Sequence, residues 1–206
     1  QEEWQRLQPV LREVLTWQVP ISVDTYRAST MARVLDMGVD IINDIWALRQ
    51  PGAQSAWLNS QAGVCLMHMH GQPDTMQLDP MSGSVVGPVC EFLRDRLQSL
   101  IQQGAASERV VLDPGIGFGK TVAQNFELLQ QQHLLQQLGP VLVGWSRKSS
   151  LGAITGLEVD QRLVPSVVAA VLAAQRGASV LRVHDVAMTR AGLAVWQASM
   201  GQGVAG

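Results

Sequence analysis

The chain has 206 residues, 47% hydrophobic and 16% charged, with a formal net charge of -2 at pH 7. That is enough chain to bury a substantial core, and the apolar content argues against disorder. Near-neutral charge gives no reason to expect a nucleic-acid or anionic membrane partner. No signal peptide and no bilayer-length apolar run is present, so the cytoplasm is the expected compartment. Cys65 and Cys90 lie in apolar stretches and read as buried thiols in a reducing compartment. One domain over 1–206 is expected.

In chain order, residues 2–17 carry Trp4, Leu7, Leu11, Val14 and Leu15 at helical spacing, with Pro9 expected to kink the helix or mark its start. Val19–Thr25 reads as a short strand ending in an acid. A helix over 28–37, stopped by Gly38, and a strand Asp40–Ile45 follow. A helix over 53–61 leads to a strand Val64–His70 and a loop from Gly71 to Pro80. Residues 85–103 form an amphipathic helix. The run VVLDPGIGFGKT, Val110–Thr121, is a buried strand emptying through Asp113 into a glycine loop and Lys120. A helix over 123–138, a strand Pro140–Gly144, an almost wholly apolar helix over 163–176, a strand Ser179–Asp185 and a helix to Met200 complete the chain. The last six residues read as frayed.

Six β-α repeats without a hairpin signal predict a parallel sheet with right-handed crossovers. They suit a doubly wound sheet, or a (β/α)₈ barrel with its first two units absent. Polar groups end every strand: Asp24, Asn43, His68, Asp113, Ser146 to Lys148, and Arg182 with His184. Six strands ending in chemistry favour the TIM barrel.

The glycine loop fits neither nucleotide fingerprint. The phosphate-loop pattern needs glycine where Pro114 stands, and the dinucleotide pattern needs one at Lys120. His68 and His70 share a strand face with Leu66, and no other ligands stand at metal spacing. Asp24 and Asp113 read either as paired carboxylates or as helix caps. Arg147, Lys148 and Arg182, with the His184 imidazole, predict an anion site at the last strands. Only two basic residues are lysines, Lys120 and Lys148, and both follow β-like runs. A compact ammonium is expected to matter there.

Taken together, these residues resemble the dihydropteroate synthase family. The resemblance lies in Ser22–Thr25, Ile42–Ile45, Leu66–Met69 with Gly71 and Pro73, Asp113–Lys120, Gly144–Lys148 and Arg182–Val186. It implies a TIM barrel that condenses 6-hydroxymethyl-7,8-dihydropterin diphosphate with p-aminobenzoate. The products are 7,8-dihydropteroate and pyrophosphate, for folate synthesis. By resemblance, Asp24, Asn43 and Asp113 hydrogen-bond the pterin, and Ile45, Met67 and Phe118 line its slot with Gly144 nearby. Lys148 contacts the pterin carbonyl and, with Ser149, borders p-aminobenzoate. Arg182 and His184, with Asn43, hold the diphosphate. Lys148, Arg182, His184 and Asp24 are the implied catalytic set. Mg2+, a homodimer and sulfonamide targeting are implied as well.

The family's opening motifs, which carry a metal and diphosphate contact, have no counterpart here. The chain begins at Gln1, and an upstream segment is expected to be missing. No metal ligand is therefore expected within it, and the 206-residue piece is expected to be inactive or weak. Rival readings are a methyltetrahydrofolate methyltransferase domain, a pterin-binding remnant without catalysis, and an aldolase or lyase with Lys148 as its Schiff-base lysine.

Overall fold

In the computed structural model, residues 2–72, 75, 76 and 78–201 are described. Pro73 of the third motif and most of the expected frayed tail lie outside them. The elements are α1 (Glu2–Val14), β1 (Ser22–Asp24), α2 (Ala28–Asp36), β2 (Ile41–Asp44), α3 (Ala53–Leu58), β3 (Gly63–Met67), α4 (Val86–Gln102), β4 (Val110–Asp113), α5 (Val122–Gln130), α6 (His133–Gln136), β5 (Leu142–Val143), α7 (Ser149–Thr155), α8 (Leu163–Gln175), β6 (Val180–Leu181) and α9 (Val186–Ser199). The residues pack as two compact units. One comprises residues 1–68 and 92–112, the other 69–91 and 113–206.

The first unit is built on a sheet in the order β1-β2-β3-β4. β1 runs parallel to β2, with Asp24 opposite Asn43, and β2 runs parallel to β3, with Asp44 opposite Leu66. Val64, Cys65, Leu66 and Met67 are buried in succession. A strand covered on both faces has no polar alternation to show, which is why its sequence reads as one apolar run. Pro9 lies inside α1 without ending it, and the last turn instead tightens into a 3₁₀ turn over Leu15–Trp17.

The second unit holds the parallel pair β5–β6, with Leu142 opposite Val180 and Val143 opposite Leu181. The helix expected over 123–138 is broken after Gln130. The Gln132 amide turns inward and donates to the carbonyls of Ala173 and Arg176, at 2.9 and 3.1 Å, at the end of α8. The Ala173 carbonyl already accepts from the Arg176 and Ala178 N–H groups, at 3.1 and 3.0 Å, so the amide adds a further donor at the helix end. α7 was not expected from the sequence. It is short, and Gly152 within it reads as a breaker; the Arg162 guanidinium lies so close over Gly152 that a Cβ there would strike it. Small residues of α8, among them Ser166, Ala169, Ala170 and Ala173, face inward, while Val164 and Val168 stay exposed.

α5 begins with a full capping box. Thr121 Oγ1 accepts from the Gln124 N–H, and the Gln124 side chain accepts from the Thr121 N–H. The same Gln124 amide donates to the carbonyls of Met81 and Gly83, at 2.7 and 2.9 Å. Thr121→Ala is expected to cost about 1 kcal/mol, read as a lower urea midpoint at unchanged m-value.

Candidate active site

Each candidate residue closes or follows a short strand, where the backbone stops pairing and the chain turns into a loop. Asp24 is the last residue of β1, Asn43 and Asp44 close β2, and Asp113 closes β4. His68 follows β3 directly and Arg182 follows β6 directly, while Ser146–Lys148 lies a few residues beyond β5.

In the first unit, Asn43 Nδ2 donates to Asp24 Oδ2 at 3.0 Å. Asn43 is buried, and its Oδ1 meets no hydrogen-bond partner among the described residues. Such an orphaned acceptor marks a place where a ligand N–H fits. Met67, the last residue of β3, is buried, and Ile45, just past β2, is half-buried. Asp24 is exposed and borders a cleft with Glu3, Arg6 and Arg27. Glu3 accepts from the hydroxyls of Thr25 and Thr30, both at 2.8 Å, and so anchors the loop that follows Asp24. β3 stops at Met67, so the strand alternation expected of His68 and His70 does not reach them. His68 is buried, edge-on to Phe92 at 5.1 Å between centroids.

In the second unit, Asp113 is the centre of charge. Burial is the largest influence on it and pushes its carboxyl up to about 6. The Gly115 N–H, donating to Asp113 Oδ1 at 2.7 Å, pulls the other way, as do Lys148, Lys120 and Arg182. Lys148 is itself lowered, first by burial, then by Arg182, while Asp113 raises it. Its Nζ lies 4.4 Å from the centroid of the Phe118 ring. A cation over an aromatic face is attracted by the ring quadrupole.

Lys120 does not face outward. It is buried, and its Nζ donates to the carbonyls of Gly115 and Phe118, each at 3.0 Å. The lysine that resemblance left without a ligand therefore laces the glycine loop from inside. Gly115, Gly117 and Gly119 all have φ between 69° and 81°. Gly119 has a second reason to be glycine, since a Cβ there would lie 2.6 Å from the His70 carbonyl oxygen. The Gly117 N–H reaches Asn125 Oδ1 at 2.8 Å, and Asn125 Nδ2 reaches Ser150 Oγ at 2.9 Å.

The expected cation cluster needs one correction. Arg147 does not stand beside Lys148 and Arg182 as a third anion ligand. Its NH2 donates to both Asp185 oxygens, at 2.9 and 3.2 Å. Arg182 and His184 are exposed, and His184 Nδ1 lies 2.9 Å from Ser146 Oγ. Gly144 is half-buried, its Cβ position 3.9 Å from Arg182 Cβ, and Ser149 is exposed at the start of α7.

Each unit carries polar side chains at its strand ends, and the chain matches a family of pterin binding enzymes. The model of the pterin binding enzyme family matches residues 1–184. Dihydropteroate synthase of Haemophilus influenzae is 44% identical over 201 residues, covering 97% of this chain and 73% of that protein. A crystal structure of Burkholderia cenocepacia dihydropteroate synthase complexed with 7,8-dihydropteroate superposes with a TM-score of 0.91 at 44% identity. It covers 97% of this chain and 75% of that one. The Xanthomonas albilineans enzyme with 4-aminobenzoic acid gives a TM-score of 0.91 at 43% identity, covering 98% and 73%. The chain belongs to the pterin-binding enzymes and, within them, to the dihydropteroate synthase family. Its fold class is the TIM barrel of these neighbours, present here as six β-α units.

Proposed function

We propose that this chain carries the pterin and diphosphate machinery of dihydropteroate synthesis, the joining of 6-hydroxymethyl-7,8-dihydropterin diphosphate to p-aminobenzoate. The observation that carries the reading is Asp113, a buried carboxylate at a strand end with two lysines and an arginine acting on it. An ionised carboxylate only accepts hydrogen bonds, which suits the adjacent amino and ring N–H groups of a pterin. In the other unit, Asn43 Oδ1 offers a buried acceptor, and Asp24, Ile45 and Met67 are assigned to the pterin by resemblance. Lys148 is assigned to the pterin carbonyl and, with Ser149, to the border of the p-aminobenzoate site. Arg182 and His184 are assigned to the diphosphate. With Nδ1 of His184 engaged by Ser146, Nε2 is the nitrogen left for an anion.

In this reading the C–O bond at the pterin methylene breaks with its electron pair leaving on pyrophosphate. The arylamine nitrogen then bonds the methylene carbon and gives up a proton. Arg182, His184 and Lys148 stabilise the departing negative charge; no covalent protein nucleophile is required. Among the described residues no group of three or more His, Cys, Asp or Glu side chains gathers to hold a metal. The Mg2+ that resemblance implies therefore enters no step. The relatives named above give no support to the methyltransferase, remnant or aldolase readings.

The same reading includes a homodimer covering the exposed Val164, Val168 and Met188 of α8 and α9, sensitivity to sulfonamides, and the cytoplasm. Both cysteines are buried and outside any disulfide. Among the described residues no helix is long and apolar enough to cross a membrane.

Fluorescence titration with the pterin diphosphate tests the proposal. Asp113→Asn is expected to weaken binding at least about tenfold, because the amide presents a donor where an acceptor is needed. Wild-type affinity is expected to rise as pH increases through about 6, where the carboxylate ionises, and the variant is expected to lose that rise. Equal binding by both proteins would sink the reading.

A further inference from the structure

The loops after β5 and β6 are joined by side chains that continue the strand register. Leu142 pairs with Val180 and Val143 with Leu181, and the Arg182 N–H then bonds the Val143 carbonyl at 3.0 Å. Further on, the same offset of 38 residues recurs in side-chain contacts. Ser146 Oγ accepts from the His184 N–H at 3.2 Å, and Arg147 forks onto Asp185 through NH2 and, at 3.3 Å, through Nε.

Arg147 is also backbone-strained. Its φ is 60°, a left-handed conformation that a non-glycine residue adopts only when its surroundings impose it. The Ser166 hydroxyl accepts from the Arg147 N–H at 2.9 Å, and Arg162 NH1 donates to the Arg147 carbonyl at 3.2 Å. The fork to Asp185 fixes the side chain. Lys148 is the very next residue, and it leaves this turn extended, at φ -61° and ψ 148°.

Stability does not account for the arrangement. The side chains of Arg147 and Asp185 are 42% and 25% exposed, and an ion pair in contact with water contributes little. Asp185 stands at the N-cap of α9, where an aspartate normally accepts from the helix's first N–H groups, yet its carboxylate makes no such bond. A cap is forgone and a left-handed arginine is held, for a contact that is weak by itself. What the contact does secure is the direction in which the chain enters Lys148.

We propose that Arg147 and Asp185 are a positioning pair: by locking the left-handed turn at Arg147 to the residue after His184, they set the approach of the Lys148 ammonium to the Phe118 ring and its alignment with His184. That the placement of Lys148 matters for a ligand rests on the pterin reading above. The placement itself does not.

With only two lysines in the sequence, the whole chain labelled at lysine Nζ and Cε gives two sets of NMR signals to follow. In Asp185→Asn and in Arg147→Gly, the Lys148 ε-methylene and Nζ signals are expected to lose the Phe118 ring-current shift and move towards those of an exposed lysine. The buried Lys120 signals are expected to stay in place. Pterin diphosphate affinity is expected to fall roughly tenfold, as displaced binding groups do, and Asp185→Glu, which keeps the carboxylate, to recover part of it. Glycine suits a φ of 60°, so Arg147→Gly carries the test if Asp185→Asn does not fold. Lys148 signals unmoved in both variants, or Lys120 signals moving as far, would overturn the positioning pair. Failure of the wild-type chain to bind pterin diphosphate would overturn the pterin reading instead, and would leave the Lys148 shifts to decide the pair.

Discussion

Lys120→Met is expected to open the glycine loop and to weaken pterin diphosphate binding by roughly 30- to 100-fold, the scale set by displacing a binding group by about an ångström. Methionine fills a similar volume but cannot bridge two carbonyls. The Gly115 carbonyl would keep the Phe118 N–H at 3.0 Å, and the Phe118 carbonyl would keep only the long 3.5 Å contact with the His70 N–H. The loop then loses the tie that holds Phe118 beneath Lys148. Asp113 also loses one of the cations that hold its carboxyl down, so its ionisation moves higher and fewer molecules present the acceptor at neutral pH. The stability effect has the opposite sign at low pH. Burial is the largest influence on Lys120 and lowers it from 10.5 to about 7, against the attraction of Asp113. Between those values the unfolded chain holds a proton that the folded chain lacks, so this residue makes stability rise with pH across that window, by up to about 1.4 kcal/mol per pH unit. Methionine removes that rise. The variant should therefore compare best with wild type at pH 7 and worst near pH 10. Urea unfolding at several pH values, with amide exchange at Phe118 and Gly119, reads both effects. A loop as protected as wild type would contradict the lacing role.

The neutral amine still has two N–H donors, so in the wild-type protein the loop stays laced above pH 7. This separates Lys120 from Lys148, whose proposed task needs positive charge. Both belong to a type the chain otherwise avoids, and the sequence marks the pair without distinguishing them. What distinguishes them is position. Lys120 follows a loop with three left-handed glycines that folds back over it, and Lys148 leaves an arginine turn in an extended conformation.

The strand ends were readable for a simple reason. A buried parallel strand shows as β-branched residues running into an acid or amide, as in Val110–Asp113 and Ile41–Asp44, and those residues are where the structure places them. Partner choice was not readable in this way. Arg147, Lys148 and Arg182 look equivalent as cations near strand ends, and only the β5–β6 register sets Asp185 opposite Arg147. The break after Gln130 depends on an amide turned towards the end of α8, and the leucine spacing on both sides hides it. Asp44 illustrates the same limit more sharply. Beside Asn43 it reads as a second polar group at a strand end, and nothing nearby resembles a glycine turn.

Yet Asp44 holds the most strained turn in the first unit, and Asp44→Ala is expected to destabilise the protein by about 3–5 kcal/mol. Ala47 and Leu48 are consecutive left-handed residues, at φ 52° and 58°, and both are buried. Each such residue costs about 1–2 kcal/mol relative to an ordinary conformation. Asp44 offsets that cost by accepting from the Trp46 and Leu48 N–H groups, both at 2.8 Å, one on each carboxylate oxygen. Arg96 Nε closes the turn from the other side, on the Ala47 carbonyl at 2.9 Å. Arg49 stacks 5.0 Å from the Trp46 ring and 5.2 Å from Phe92. Burial raises the Asp44 carboxyl above its ordinary range, while the two N–H groups and Arg49 pull it down. Alanine would leave two buried donors without acceptors, at about 1–3 kcal/mol each, and take the counter-charge from Arg49 and Arg96. Ala47→Gly acts in the reverse sense, relieving one left-handed residue, and is expected to recover about 1 kcal/mol in the Asp44→Ala background. Asn43 immediately precedes this turn, so its bond to Asp24 should loosen with it. Urea unfolding of the single and double variants decides the matter: a loss below about 1 kcal/mol for Asp44→Ala would mean that the turn is held by its arginines and rings, with the carboxylate incidental.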